Sequence, residues 1–441
     1  MRPLRCLYSR RRLGLCLGLT LWLAGSGLAQ TPADTIGAAD AIHDYLGASA
    51  KDGGHLWGRS LRGPMILVDP VTRTAFASEQ PPGGSFTEAD GLWRGAIPEG
   101  IPTANYALTW AGRRWAMVLL PLPKDRFIRL ALLLHESFHG IQEGLGLSGP
   151  DRLNPHLDER DGRYWLRLEL RAMAAALRTD GSARHSAARD AMLFRAQRYS
   201  LYPGADSLEH ALELAEGLAE YTGTRLALDY LGLPVSRAAE LLRSFEGRAT
   251  YVRSLGYGTG PGLGLLLDAY APKWRTEVSR EGLAPQLAAA LKFTPPADLA
   301  GQAQRAARRY EMEALAQEED VRAATRAKAL ADYRARLIEG PVLSLRQPGL
   351  ERAFNPNTLV AMGGDGTVYP TGSFGAEWGS LEVESGGALV ATDFTLLRLA
   401  APRDTSGSVI HGEGWTLKLA AGWTLSPGER PGDLTAVRRA E

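Results

Sequence analysis

Two histidines and a glutamate within residues 127–143 have the types and the spacing of a metal site. His135 and His139 are four residues apart, so on a helix both imidazoles face the same side and can reach one zinc ion. Glu136 points about 100° round the helix, towards the position of a water molecule on that metal. The pattern therefore predicts a zinc-activated water, with Glu136 as the general base that takes its proton.

The segment that carries these residues is predicted to be a helix buried on most of its sides. Ile128 and the run of leucines at 132–134 supply apolar side chains around it. Buried polar side chains need partners, because an unpaired one is costly. This favours a metal site over a surface helix with two ordinary histidines.

A catalytic zinc usually has three protein ligands and one open position, so a third ligand is expected further along the chain. Residues 212–221 offer carboxylates at Glu213, Glu216 and Glu220. Glu216 and Glu220 are one helical turn apart and can share a face, one on the metal and the other behind it.

Glu169, in a predicted helix over residues 164–177, is a competing third ligand. A carboxylate among apolar neighbours needs a partner, although pairing with Arg167 or Arg171 at the surface would also explain it. The remaining candidates lie in polar or turn-rich segments and are expected to be exposed: His156, His185 and His210.

Two short motifs resemble those of the gluzincin metallopeptidases, the thermolysin-like and related aminopeptidase group. They are the His-Glu-x-x-His run at 135–139 and the Glu-Gly-x-Ala run that begins at Glu216. The resemblance implies that Glu216 is the third zinc ligand, and that Glu220 accepts a hydrogen bond from the far ring nitrogen of a ligand histidine. It also implies hydrolysis of peptide bonds, with a peptide or protein as substrate. Glu216 lies 77 positions after His139, a longer interval than in that group's familiar members.

Tyr257 is the candidate for a further hydrogen-bond donor to the oxyanion that forms during hydrolysis. It lies in the glycine-rich segment 251–262, ahead of a helix predicted over residues 263–270. The alternative is a loop in which the glycines only permit tight turns.

The first 29 residues have the order of a secretory signal peptide, with arginines, then an apolar run and then small residues before a cut after Ala29. We therefore expect an exported protein, periplasmic or extracellular. Both cysteines, Cys6 and Cys16, lie in this segment, so the mature chain would bind a metal through nitrogen and oxygen only. Beyond it no apolar run approaches the length of a membrane span.

The charge of the chain gives no sign of a nucleic-acid partner. Removal of the five arginines in the signal would change the formal net charge from +1 to −4. That balance gives no indication of the basic surface on which nucleic-acid binding depends.

The elements that must position the site fall into three parts after the signal. Residues 30–123 predict a small, mostly antiparallel sheet, residues 124–338 a helical lobe, and residues 341–441 a separate all-β domain. The expected fold class is α+β, with a zincin-like catalytic region. The oligomeric state is not predicted.

Two other classes of protein fit the same sequence. One is an exported binding or scaffold protein that keeps a vestigial or structural metal site, with the C-terminal β-domain as its working part. The other is a metal-free helical protein. The sequence contains no Gly-x-Ser-x-Gly elbow, no phosphate-binding glycine loop and no calcium-binding loop.

Overall fold

The computed structural model describes residues 35–110, 112–150, 152–278, 282–346, 351–355 and 358–439. The chain divides into two compact units, residues 1–315 and 316–441, and each is described by itself. The signal peptide predicted at residues 1–29 lies outside the described residues.

The helices of the first unit are α1 (Thr35–Asp52), α2 (Arg126–Gln142), α3 (Arg160–Arg178), α4 (Gly181–Leu201), α5 (Ala205–Leu212), α6 (Leu218–Leu231), α7 (Ser236–Glu246), α8 (Leu255–Tyr270), α9 (Leu283–Ala290) and α10 (Leu299–Ala307). Its strands are β1 (Met65–Val68), β2 (Thr74–Ala77), β3 (Thr87–Ala89), β4 (Leu92–Ala96), β5 (Tyr106–Trp110) and β6 (Arg113–Leu119).

The six strands form one sheet in the order β3-β4-β2-β1-β6-β5. Only the β1–β6 pair is parallel among these strands, so the prediction of a mostly antiparallel sheet is confirmed. Strands β5 and β6 form a hairpin, with Trp110 opposite Arg113. Gly112 has a φ of +79° in the short connection, a conformation that favours glycine.

Helix α2, which carries both histidines of the motif, follows this sheet directly. Asp125 caps its first turn by accepting a hydrogen bond of 3.0 Å from the backbone N–H of Ile128. Leu133, Leu134 and Phe138 are fully buried, and the helix contacts β6 and α6. The prediction of a largely buried helix at this position is confirmed.

Helix α6 crosses α2 at very short range. A Cβ atom at Gly223 would lie 2.2 Å from the carbonyl oxygen of Ala131 and 3.2 Å from the backbone nitrogen of His135. Only glycine allows the two backbones to approach this closely. The crossing therefore fixes α6 beside the first histidine of the motif.

Between α5 and α6 the helix widens into a π-helical turn, Glu213–Gly217, and α8 packs against that turn. A Cβ atom at Gly260 would lie 2.2 Å from the carbonyl oxygen of Gly217, and one at Gly256 would lie 2.8 Å from that of Leu212. The glycine-rich segment is thus part of a helix that begins at Leu255. The predicted helix start at residue 263 is wrong, because the glycines serve close backbone packing and not tight turns.

Helix α11 (Met312–Arg334) lies mostly in the second unit. The strands that follow are β7 (Val342–Arg346), β8 (Glu351–Ala353), β9 (Val360–Ala361), β10 (Thr367–Tyr369), β11 (Gly372–Ala376), β12 (Gly379–Val383), β13 (Ala388–Val390), β14 (Leu396–Ala400), β15 (Val409–Gly412), β16 (Trp415–Leu419), β17 (Trp423–Pro427) and β18 (Leu434–Arg438).

These strands form two sheets, in the orders β17-β18-β7-β14-β13-β10-β9 and β15-β16-β12-β11-β8. Both sheets contribute to one apolar core, which includes Leu345 and Leu397 from the first sheet and Leu381 and Trp415 from the second. The protein is therefore a mixed α+β chain with a β-rich C-terminal region, as expected at that level. None of the helices within the described residues is both long enough and apolar enough to cross a bilayer.

Candidate metal centre

Three side chains from two distant parts of the chain converge on one point. His135 and His139 come from α2, Glu216 comes from the π-helical turn, and their potential ligand atoms all lie within 4.8 Å of one another. The Nε2 atoms of His135 and His139 are 3.1 Å apart. Oε2 of Glu216 lies 3.5 Å from Nε2 of His135 and 3.6 Å from Nε2 of His139. Ligands about 2.0–2.1 Å from a tetrahedral ion lie roughly 3.3 Å from one another, so this spacing fits a metal ion.

The ring of His135 is oriented by Glu220. Its Nδ1 lies 2.8 Å from Oε2 of that carboxylate. A carboxylate only accepts hydrogen bonds, so Nδ1 of His135 carries the proton. The Nε2 atom of the neutral ring then presents a lone pair to Glu216 and His139.

The ring of His139 is oriented in the same sense by Gln142. Its Nδ1 lies 2.7 Å from Oε1 of Gln142. The amide cannot be turned round, because its Nε2 donates to the carbonyl oxygens of Leu214 at 2.8 Å and Ala215 at 2.9 Å. Oε1 of Gln142 is therefore the acceptor, Nδ1 of His139 is the donor, and Nε2 of His139 is also left as a lone pair.

The consequence is a cluster of three electron-rich atoms in a largely buried place. His135 is 2% exposed, and the side chain of Glu216 is 17% exposed. Two facing lone pairs and a carboxylate oxygen repel one another unless a positive charge lies between them. A metal ion supplies that charge, and a proton is its competitor.

The pKa values of the three groups reflect the same attraction for positive charge. Burial alone would lower the pKa of His135, but hydrogen bonding to Glu216 and Glu220 raises it well above its ordinary value. The pKa of His139 is likewise raised against the effect of burial, through Glu216. Burial alone would raise the pKa of Glu216, but the two histidines lower it well below its ordinary value. Glu216 is therefore an anion, which is the form in which a carboxylate binds a metal ion.

Glu136 is buried next to the cluster of His135, His139 and Glu216 but is not a member of it. It is 3% exposed, and among the described residues its carboxylate has no hydrogen bond or ion pair. Burial raises its pKa, with the nearby charges of His135 and His139 acting in the opposite direction. A carboxylate with a raised pKa and no fixed partner is suited to exchange a proton with a small molecule.

Tyr257, in the first turn of α8, touches two of the three converging residues. Its hydroxyl donates a hydrogen bond of 2.6 Å to Oε2 of Glu216. Its ring is stacked on that of His135, with centroids 5.4 Å apart and an angle of 9° between the planes. Burial, and then the charge of Glu216, raise the pKa of Tyr257 well above its ordinary value, so the hydroxyl keeps its proton.

Glu169, the competing third ligand, lies elsewhere. It is fully buried and forms ion pairs of 2.7 Å with Arg195 and with Arg198. The surface pairing expected with Arg167 or Arg171 is wrong, because both of those arginines pair with Glu246. The interior position of Glu169 is explained by two buried cations from α4 and not by a metal.

The other histidines do not join the cluster. His156 is 7% exposed, and its Nε2 lies 2.8 Å from the buried Glu209, so its predicted exposure is wrong. His185 is exposed and contacts the ring of Tyr270, and His210 is half-buried.

Gln142 is the functional candidate that the motif alone does not identify. It lies three residues after His139, on the same face of α2, and that spacing is the signal that could have revealed it. Its amide connects His139 to the π-helical turn that carries Glu216. This connection is visible only once the fold is known.

Compared with known proteins, the sequence matches no family model, and it has no significant match among curated proteins or solved structures.

Proposed function

We propose that this protein is a zinc-dependent hydrolase that cleaves peptide bonds, with His135, His139 and Glu216 as the metal ligands. One observation carries the proposal: both histidines have their Nδ1 atoms on acceptors, so in the neutral rings that a metal ion would bind, both Nε2 atoms present lone pairs towards Oε2 of Glu216. Glu220 and Gln142 support the ligands by fixing their tautomers, as carboxylates and amides do around bound metals.

The donor set favours zinc among the common divalent ions. Two imidazole nitrogens and one carboxylate oxygen are the ligands of many catalytic zinc sites, whereas calcium and magnesium prefer oxygen alone. Three protein ligands leave a fourth position open, and structural zinc sites usually fill all four. This supports a catalytic ion over a purely structural one.

The residues around the site have different roles in the proposed hydrolysis. A zinc ion held by these three ligands would make its water more acidic, with a pKa of about 7, and would polarise the carbonyl that is attacked. Glu136 takes the proton from the attacking water and passes it to the leaving amine, which its unpaired carboxylate and raised pKa favour. Tyr257 has a single hydroxyl hydrogen, which turns from Glu216 to the oxyanion as that charge develops.

A peptide or protein substrate is the part of the proposal that rests on the resemblance of the two motifs. The same metal chemistry can cleave other amides, because the fold does not determine the substrate. The proposal also includes export to the periplasm or the exterior, which rests on the sequence of residues 1–29.

The decisive experiment compares the wild-type protein with Glu136→Gln in zinc content and in cleavage of a peptide library. We expect about one zinc per chain in both proteins, and a loss of turnover on the order of 10²- to 10⁴-fold in the variant. Zinc-loaded wild type that cleaves nothing would instead support a binding or scaffold protein with a vestigial metal site. Wild type without zinc would support a metal-free helical protein. Glu143→Gln, on an exposed carboxylate just beyond α2, is the matched control and should retain turnover.

A further inference from the structure

An arginine that forms no ion pair within the described residues lies beside the candidate metal centre. Arg248, in the loop between α7 and α8, places its guanidinium 5.7 Å from the ring centroid of Tyr257 and 4.8 Å from that of Phe245. Tyr257 in turn contacts Glu216 and His135. The cation is therefore separated from the converging residues by a single side chain.

The guanidinium of Arg248 lacks the partners that the other buried arginines have. Its Nη1 is enclosed without a hydrogen-bond acceptor, and its side chain forms no ion pair with the described part of the chain. By contrast Arg171, Arg195 and Arg198 each have a carboxylate oxygen within 2.7 Å. Arginine stays charged in proteins, so a half-buried guanidinium without an acceptor is costly unless something else supplies one.

The electrostatic surroundings of Arg248 also leave its positive charge incompletely compensated. Burial lowers its pKa even though Glu220 and Tyr257 act in the opposite direction. Glu220 accepts from Nδ1 of His135 at 2.8 Å through Oε2, and within the described residues it forms no ion pair with the arginine. The guanidinium is therefore incompletely solvated and incompletely neutralised.

The backbone of Arg248 is held in place on both sides. Its N–H donates to the carbonyl oxygen of Phe245 at 3.0 Å, and its own carbonyl oxygen accepts from Nη2 of Arg163 at 3.3 Å. The next carbonyl, that of Ala249, accepts from the same guanidinium at 3.2 Å. A cation on an anchored backbone is prepared to bind a ligand without first having to order its loop.

We propose that Arg248 binds a carboxylate of the substrate, so that the enzyme prefers peptides with a free carboxylate near the bond that is cleaved. This rests on the proposed hydrolase function and names its substrate class. The planar fork of the guanidinium matches a carboxylate with two parallel hydrogen bonds, and the match is strongest where water is largely excluded. The carboxylate can come from the C-terminus of the peptide or from an acidic side chain.

The test measures kcat/KM on three matched peptide sets: one with a free C-terminus, one with a C-terminal amide, and one with the amide plus an acidic side chain. In Arg248→Met we expect a loss on the order of 10- to 100-fold on the set or sets that present the preferred carboxylate, and little change on neutral peptides. Arg248→Lys should restore part of the loss. Arg305→Met, on an arginine whose side chain is 61% exposed, is the control and should equal wild type. Equal losses on all three sets, or none, would overturn the inference.

A second measurement does not depend on turnover. Calorimetry would compare binding of the monohydroxamate of succinic acid and of its methyl ester to the zinc-loaded protein. Wild type should bind the free acid at least about 10-fold more tightly, and Arg248→Met should lose this preference while keeping its zinc and its melting temperature. If the preference is present but no peptide is cleaved, the proposed function fails and the inference on Arg248 stands. If wild type does not distinguish acid from ester, the inference fails.

Discussion

Tyr257 donates a 2.6 Å hydrogen bond to the one oxygen of Glu216 that faces both histidines. The hydroxyl therefore both restrains a metal ligand and brings a hydrogen atom to the edge of the site. Its raised pKa keeps that hydrogen in place through the neutral range, so the hydroxyl remains a donor over that range.

We expect Tyr257→Phe to lower kcat on the order of 10²- to 10³-fold at saturating zinc, because a donor to the oxyanion is lost. Zinc affinity should fall much less, since all three ligands remain. Tyr270→Phe, at the other end of the same helix, is the control and should have no effect. A variant whose kcat recovers fully at high zinc would show that Tyr257 only restrains Glu216.

Gln142 and Glu220 should control zinc affinity rather than the chemical step. We expect Gln142→Leu and Glu220→Leu each to weaken zinc binding about 10- to 100-fold, because a ligand histidine loses the acceptor that fixes its tautomer. Competition with a chromophoric chelator measures the dissociation constant. The exposed Gln302→Leu on α10 should bind zinc as wild type does. Unchanged affinity in both variants would mean that the rings are held by packing alone.

Gly260 should be intolerant of even the smallest side chain. A Cβ atom there would lie 2.2 Å from the carbonyl oxygen of Gly217, so Gly260→Ala must push α8 away from the π-helical turn. We expect a loss of about 1–3 kcal/mol in the free energy of unfolding, measured with urea, together with weaker zinc binding. Gly140→Ala is the control, because its Cβ would meet nothing nearer than 4.0 Å and should leave stability equal or higher.

The buried ion pair between Arg198 and Glu209 should make stability depend on pH in the acid range. Both side chains are fully buried and lie 2.6 Å apart. Burial alone would raise the pKa of Glu209, but Arg198 lowers it far below its ordinary value of 4.5. Because the folded-state pKa is depressed, the stabilisation is complete above the unfolded value and is lost as the pH falls below about 4.5.

We therefore expect Glu209→Gln to cost about 3–5 kcal/mol in unfolding free energy at pH 7, since it removes one of the two carboxylates that pair with Arg198 and also the partner of His156. The difference from wild type should narrow when the same urea titration is repeated at pH 3.5. Glu240→Gln, on an exposed pair at the surface of α7, should cost less than about 1 kcal/mol at either pH. If wild type and Glu209→Gln differed in unfolding free energy by the same amount at both pH values, the ion pair would not be the cause of the pH dependence.

The part of the site that could be predicted from sequence is the part encoded in local spacing. His135 and His139 lie on one face of any helix, so their proximity follows from periodicity alone. The position of Glu216 does not follow in this way, because the segment 140–215 separates it from the histidines and only a motif resemblance pointed to it. Its arrival depends on the α2–α6 crossing, which Gly223 permits.

The glycine-rich segment shows why a local interpretation failed. Glycine usually interrupts helices, and for that reason the local pattern predicts a helix only from residue 263, after the glycine-rich segment 251–262. Gly256, Gly260 and Gly264 are, however, spaced by four residues, which places them on one helix face. The packing of a second backbone against that face outweighs the poor helix propensity of glycine. A search for glycines spaced by four residues would have identified this helix face from the sequence.

The π-helical turn Glu213–Gly217 connects two of the three converging side chains through a single irregularity of the backbone. It carries Glu216, which faces the histidines, and the carbonyl oxygens of Leu214 and Ala215, which accept from Gln142 and so orient it and, through it, His139. Deletion of one residue here would restore ordinary helical winding, misdirect the carboxylate and release the amide in the same event. His139 and Glu216 would then both lose their orientation. Variants of the turn in which only one of these two side chains is correctly placed should therefore be rare.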